Sequence, residues 1–230
     1  MTFQLPVVCV IPAKLTSQRI PEKNLQLMDG VPLLVHTLHI LQESGCFEAI
    51  YVSSESERVR KTAEETGATW LVRPDYLSDS YSTMKDVVLY HLSSLPFAPT
   101  KFFLAVGVAT SALLEPADIR GAVNLCRSTE EPVMIVVELP YLLSEVLSGE
   151  DGHLVPTLGQ GRGRDHSQKY VDAGAFYVFP PFHFQRHKTF NPPDLRPYLI
   201  PRTRAVDINV PQDLHLARAL HYYKKAGYPE

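Results

Sequence analysis

The chain has 230 residues, 45% hydrophobic and 20% charged, a balance that fits an ordinary globular protein with one sizeable core. Its formal net charge of −3 excludes a chain-wide field that would draw nucleic acid or an anionic membrane, so any bound anion must be held by a local cluster. No apolar run approaches the ~20 residues needed to span a bilayer and no secretory leader is visible at the start, so neither a membrane nor nucleic acid is an expected partner.

Residues 7–11, "VVCVI", are a short continuous apolar run, the pattern of a strand covered on both faces. Residues 32–44 follow as a helix, with Leu33, Leu34, Thr37, Leu38 and Leu41 on one stripe and Gly45 as its stop. A strand is predicted over 49–53, a polar-faced helix over 55–66 ending at Gly67, and a short strand over 70–72. Next come a helix over 83–95 with Val87, Val88 and Leu92 inward, a central strand over 102–108, a helix over 116–127 that opens on Pro116, and a strand over 133–137. This alternation predicts an α/β fold, a doubly wound, mostly parallel sheet with helices on both faces.

The rhythm breaks after Glu138. Residues 140–169 are rich in glycine, charge and turn residues, and with the chain to 172 they read as an insertion forming a flap or a subunit contact. Beyond it, 173–179 is strand-like, 182–201 is proline-rich and irregular, 206–208 is a short strand, and 211–225 is a closing amphipathic helix. The whole of 1–230 reads as one domain. Cys9, Cys46 and Cys126 form no CxxC pair, which suggests reduced thiols in the cytoplasm. The nine histidines are scattered without metal-ligand spacing.

Ligands of open parallel sheets bind beyond the carboxyl ends of the strands. Three segments should meet there. The first is the loop after the opening strand, where Lys14, Ser17, Arg19 and Lys23 suit phosphate through charge-assisted hydrogen bonds and exposed backbone N–H groups. It lacks the glycines of a Walker A loop, and a merely solvated basic loop is the alternative. The second is "VGVATSALL", where Thr110 and Ser111 could contact a base or ribose, or else cap the helix near Glu115. The third is "RAVDINVPQDL", where Asp207 and Asn209, two apart on one face, could hold Mg²⁺ through oxygen ligands, or else Asn209 or Asp213 caps the last helix.

Taken together, these segments resemble the acylneuraminate cytidylyltransferase family. "IPAKLTSQRIPEKNL" is similar to its opening I-P-A-R-x-x-S-x-R-x-P-x-K-N, "VATSALLEPADI" to its P-T-S-P-L-R segment, "YVDAGAFYVF" to its D/N-A/G-G-x-F/Y segment, and "IPRTRAVDINVPQDLHLA" to its closing P-R-x-R-x-x-D-I-D. "LSDSYSTMKDVVLYHL" is closest to the pseudaminic acid branch. The resemblance runs in order along nearly the whole chain.

It implies a Rossmann-like nucleotidyltransferase that joins CTP to a nine-carbon 2-keto sugar acid, giving the CMP-sugar and pyrophosphate with Mg²⁺ or Mn²⁺. On that likeness Lys14, Arg19 and Lys23 act on the triphosphate, Ala13, Ser17, Asn24, Thr110 and Ser111 bind the nucleotide, and Arg162, Asp165 and Asp172 bind the sugar. Asp207 and Asn209 would hold the metal, and 140–172 would build a homodimer. A non-catalytic nucleotide-binding relative, and an enzyme for the eight-carbon acid of lipopolysaccharide, are the alternatives. The chain departs from the family pattern at Lys14, an arginine there, at Leu15-Thr16, a glycine pair there, at Val108 and Leu114, and at Asn209, an aspartate there.

Overall fold

The computed structural model describes residues 4–79, 81–139, 147–150, 153–156 and 169–228. Strand β1, Val7–Pro12, is buried along its first five residues, as a continuous apolar run requires when both faces of a sheet are covered. A short two-stranded ribbon follows, β2 (Leu27–Met28) and β3 (Val31–Pro32). Helix α1, Leu33–Ser44, buries the predicted stripe and ends at Gly45, whose left-handed φ of 66° is one that glycine adopts without penalty. Then come β4 (Ala49–Ser54), α2 (Glu57–Glu65), β5 (Thr69–Val72), α3 (Met84–Leu92) and β6 (Phe103–Gly107). Helix α4 (Pro116–Thr129), β7 (Val133–Glu138), a hairpin of β8 (Leu147–Glu150) and β9 (His153–Pro156), and β10 (Tyr170–Phe179) carry the chain onward. Short helix α5 (His183–His187), β11 (Arg196–Leu199) and α6 (Pro211–Lys225) complete it.

Seven strands form one sheet in the order β11-β7-β10-β6-β1-β4-β5. β1 pairs in parallel with β4 and β6, β4 with β5, and β7 with β11. Only β10 runs antiparallel, to β6 and β7. The expected doubly wound, mostly parallel α/β sheet is therefore present. Alternate residues of β1 face opposite layers. Val7, Cys9 and Ile11 pack with α1, α2 and α4, whereas Val8 and Val10 pack with α3 and Phe184 of α5.

A third cluster lies beyond the carboxyl ends of the strands. Ile20, Met28 and Leu33 meet Leu113, Ile208 and α6's Leu214 there. It brings the first loop against the segment before α6.

Three expectations change. Residues 206–208 pair with no strand. They are extended chain held by Ile208 in the third cluster. β11 lies inside the stretch read as irregular. It is an edge strand, the place where Pro197 is tolerated because an outward-facing position needs no N–H. The strand predicted from 173 begins at Tyr170. Cys9, Cys46 and Cys126 are free thiols, and burial pushes those of Cys9 and Cys126 up to about 12, so neither is a ready nucleophile. No helix among the described residues is long and apolar enough to cross a membrane.

His91 joins α3 to the end of β4. Its Nε2 lies 2.8 Å from Ser53 Oγ, and the residue is 2% exposed. Burial, helped by the Arg73 charge, lowers the imidazole from the usual 6.5 to about 4. The unfolded chain thus takes up a proton below pH 6.5 that the fold refuses until about pH 4. Stability is present in full above this window and is lost as the pH falls through it, by up to about 3 kcal/mol from this group. Urea unfolding measured across the window should show that decline, and His91→Gln should flatten it.

Candidate active site

The first loop is pinned where it leaves the sheet. Ala13 N–H donates to the Ser53 carbonyl at 2.8 Å, and Ala13 is fully buried, so its part in the site is to anchor the loop. Asn24, also buried, sends its Nδ2–H back to the Lys14 carbonyl at 2.8 Å. Its amide nitrogen therefore shapes the loop.

Arg19 and Lys23 both reach residues 207–209. Arg19 Nη2 donates to Asn209 Oδ1 at 3.0 Å, across 190 residues of sequence. Lys23 Nζ donates to the Ile208 carbonyl at 2.6 Å. Asn209 Nδ2 donates in turn to Asp207 Oδ2 at 2.5 Å. The Lys23 ammonium is held below the usual lysine range, chiefly by burial and further by Arg19, with Asp207 and Asp213 pulling the other way. Asp213 Oδ2 accepts the N–H groups of Asn209 and Val210 at 2.7 and 2.8 Å. Asp213 is thus the cap of α6, and the Asn209 side chain is left for Arg19 and Asp207.

A second wall comes from the loop after β5. Ser78 and Asp79 share one open cleft with Lys14, Ser17, Arg19 and Lys23. Lys14 Nζ donates to the Asp79 carbonyl at 2.9 Å. Arg73 supports this wall from inside. It is buried and its Nε donates to the Leu77 carbonyl at 2.8 Å. The expectation of exposed loop amides needs one correction. The Leu15 N–H is taken by Glu55 Oε1 at 2.9 Å, while the Leu15 side chain packs against the core.

β10 supplies the floor beside Asp207. Its register shifts between Asp172 and Tyr177, and within the shift Gly174 has a φ of +60°. Asp172 closes this bulge by accepting the Gly174 N–H at 2.8 Å and the Tyr177 hydroxyl at 2.7 Å. Burial first, then the carboxylates of Asp172 and Asp207, push the Tyr177 phenol far up, so it stays a hydrogen-bond donor. The Asp207 carboxylate sits directly over Gly174, where a Cβ would come within 2.9 Å of Asp207 Cγ.

Two expected residues fall elsewhere. Thr110 and Ser111 are buried rather than on the cleft surface, and Ser111 Oγ donates to the Ala175 carbonyl at 3.1 Å, stitching the turn after β6 to β10. Neither caps α4, whose Glu115 N–H goes to Asp118 Oδ2 at 2.9 Å. Arg162 and Asp165 lie outside the described residues. Sequence reasoning missed Glu55, Ser78, Asp79 and Gly174. The polar run "SSES" at the carboxyl end of β4 was a usable signal for the first of these. Among the described residues no group of three or more histidine, cysteine or acidic side chains is placed to hold a metal ion.

A mostly parallel α/β sheet whose first loop gathers lysine and arginine beside an aspartate has the chemistry of a site for a phosphorylated ligand. The comparisons agree and are narrower. A family model described as cytidylyltransferase matches residues 8–148, and the chain belongs to that family. It is 29% identical to the CMP-N,N'-diacetyllegionaminic acid synthase of Legionella pneumophila, over 93% of this chain and 95% of the relative. It is 26% identical to the pseudaminic acid cytidylyltransferase of Campylobacter jejuni, over 93% and 95% of the two chains. In fold it is similar to a CMP:2-keto-3-deoxy-manno-octonic acid synthetase complexed with CTP, with a TM-score of 0.72 at 13% identity over 95% and 99% of the two chains.

Gly174→Ala combines an unfavourable φ with a contact that Asp207 must relieve by moving. It is expected to destabilise the protein by about 1–3 kcal/mol, read as a lower midpoint in urea unfolding. An unchanged midpoint would contradict the packing of Asp207 on Gly174.

Proposed function

We propose that this chain transfers CMP from CTP to the anomeric hydroxyl of a nine-carbon 2-keto sugar acid. The hydroxyl oxygen bonds to the α-phosphorus, the bond to the β-phosphate oxygen breaks, pyrophosphate leaves and the hydroxyl proton is released. The observation that carries this reading is the convergence of Lys14, Arg19 and Lys23 on one cleft with Asp207 beside them. The cleft is lined by cations, hydroxyls and carboxylates and by no cysteine or histidine among the described residues, which favours positioning and electrostatic stabilisation as the mechanism.

On this reading Lys14, Arg19 and Lys23 hold the phosphates and stabilise the charge that builds on the departing pyrophosphate. Ser17 adds a hydroxyl to the same wall. Asp172, fixed by Gly174 and Tyr177, faces the sugar side, and Arg162 and Asp165 belong to the same proposal. Mg²⁺, or Mn²⁺, would be held by Asp207 with help from Asn209, and when bound it neutralises triphosphate charge. One carboxylate is enough for Mg²⁺ when substrate phosphates and water complete the shell, which fits an Asp207 whose partner is an amide. The pseudaminic and legionaminic acid relatives favour a nine-carbon acid. A homodimer built through 140–172 and a cytoplasmic place, which suits three free thiols, complete the proposal.

Pyrophosphate release should require CTP and one of the nine-carbon acids. The same assay with the eight-carbon acid, and with ATP, GTP and UTP, tests the alternatives. If none of the acids supports release at any Mg²⁺ or Mn²⁺ concentration, the reading fails in favour of a non-catalytic relative. Asp207→Ala should lower kcat by about a hundredfold or more. Asn209→Asp should raise turnover at limiting Mg²⁺, because a second carboxylate strengthens the hold on the ion.

A further inference from the structure

Glu55 is a carboxylate placed against a cleft built for phosphate. Its charge opposes that of a triphosphate, so its position calls for a physical reason. It stands at the carboxyl end of β4, between the two neighbouring strands β1 and β5. The loops after those strands are the two walls of the cleft. Glu55 touches both, accepting the Leu15 N–H with Oε1 at 2.9 Å and the Ser78 hydroxyl with Oε2 at 3.3 Å. Its charge and that of Asp79 also face the buried Arg73 guanidinium, which holds the Leu77 carbonyl at the start of the second wall.

The Lys14 carbonyl and the Leu15 N–H belong to one peptide unit. Asn24 Nδ2 donates to that carbonyl at 2.8 Å, and Glu55 Oε1 accepts that N–H at 2.9 Å. A planar peptide gripped at both edges cannot rotate. Fixing its plane fixes ψ of Lys14 and φ of Leu15, and hence the direction in which the Lys14 side chain leaves the loop. Lys14 Nζ does cross to the second wall, reaching the Asp79 carbonyl.

We infer that Glu55 is a positioning residue which, with Asn24, locks the Lys14–Leu15 peptide plane and so presents Lys14 and the rest of the first loop to the nucleotide phosphates. It acts through the loop and does not touch the substrate. The inference rests on the CTP reading above for its consequence in binding, but the lock itself is a property of the free protein.

Three binding measurements and one exchange measurement on the full chain test it. Glu55→Ala removes the acceptor and should weaken CTP binding by about tenfold or more, the scale expected when a charged hydrogen-bond partner is lost. Glu55→Gln keeps a carbonyl for Leu15 and a hydrogen-bonding group for Ser78, and should stay within about threefold of wild type by the same scale. The Asn24→Ala, Glu55→Ala double variant should be less impaired than the product of the two single effects, because both side chains hold one peptide. Equal impairment of the Gln and Ala variants, full additivity, or wild-type CTP affinity in Glu55→Ala would each overturn the lock. Amide exchange at Leu15 in nucleotide-free protein separates the two ideas. If wild type binds no CTP, the functional reading falls, while faster Leu15 exchange in Glu55→Ala upholds the lock and unchanged exchange overturns it.

Discussion

The site depends on one join, the meeting of the first loop with residues 207–209. These segments lie 185 and 190 residues apart at the Lys23–Ile208 and Arg19–Asn209 contacts. Two kinds of force act at the join. Ile20 and Ile208 enter a buried cluster with Met28, Leu33, Leu113 and Leu214. Full burial of each such side chain is worth about 1.5–3 kcal/mol. The Arg19–Asn209 hydrogen bond is exposed, where a single polar contact adds little net stability. Apolar packing therefore brings the segments together, and the polar contacts set the angle at which Arg19 and Lys23 meet Asp207. Loss of the cluster would separate the cations from the aspartate even if every charged residue remained.

Much of this was legible in the sequence because it rests on local pattern. The opening apolar run, the α1 stripe with its glycine stop, and the strand–helix alternation each follow from one short stretch of chain. The gathering of Lys14, Arg19, Lys23 and Asp207 was legible too, since the ends of parallel strands in such a sheet share one edge. What escaped was decided across the chain. β11 carries arginine and proline and becomes a strand only because β7 offers an edge to pair with. Residues 206–208 have strand-like side chains, yet they form no ladder with a strand, so Ile208 is held by packing instead. Thr110 and Ser111 have the right chemistry at the right strand end. The turn after β6 nevertheless faces β10, whose Ala175 carbonyl takes the Ser111 hydroxyl.

The glycine at position 174 shows how a backbone feature becomes a chemical one. An L-residue with a side chain rarely adopts its φ, and the resulting bulge does two things. It turns Asp172 back onto the Gly174 N–H and the Tyr177 hydroxyl. It also leaves a flat patch of backbone on which the Asp207 carboxylate rests. Two carboxylates from distant parts of the chain are thereby brought close to one tyrosine whose burial keeps it protonated. The hydroxyl offsets charge on Asp172, which eases the approach of Asp207.

Asn209 then explains how the join holds together with a single carboxylate facing two cations. Its amide has one acceptor and one donor group. The acceptor must face Arg19 and the donor must face Asp207, because a guanidinium only donates and a carboxylate only accepts. The orientation of the amide is therefore fixed by its neighbours, and Arg19, Asn209 and Asp207 form a polarised relay. An aspartate at 209 would pair more strongly with Arg19 but would set a second negative charge beside Asp207, a repulsion that a cation relieves. With asparagine the contacts from Arg19 through 209 to Asp207 close as hydrogen bonds without a second carboxylate. On the proposed function the cost would fall on cation binding, since an ion drawn to Asp207 would compete with the Asn209 N–H for Oδ2 and would meet one formal charge where two would attract it more strongly. On the proposed function, asparagine at 209 would shift the hold on the ion from the protein toward the phosphates that arrive with it.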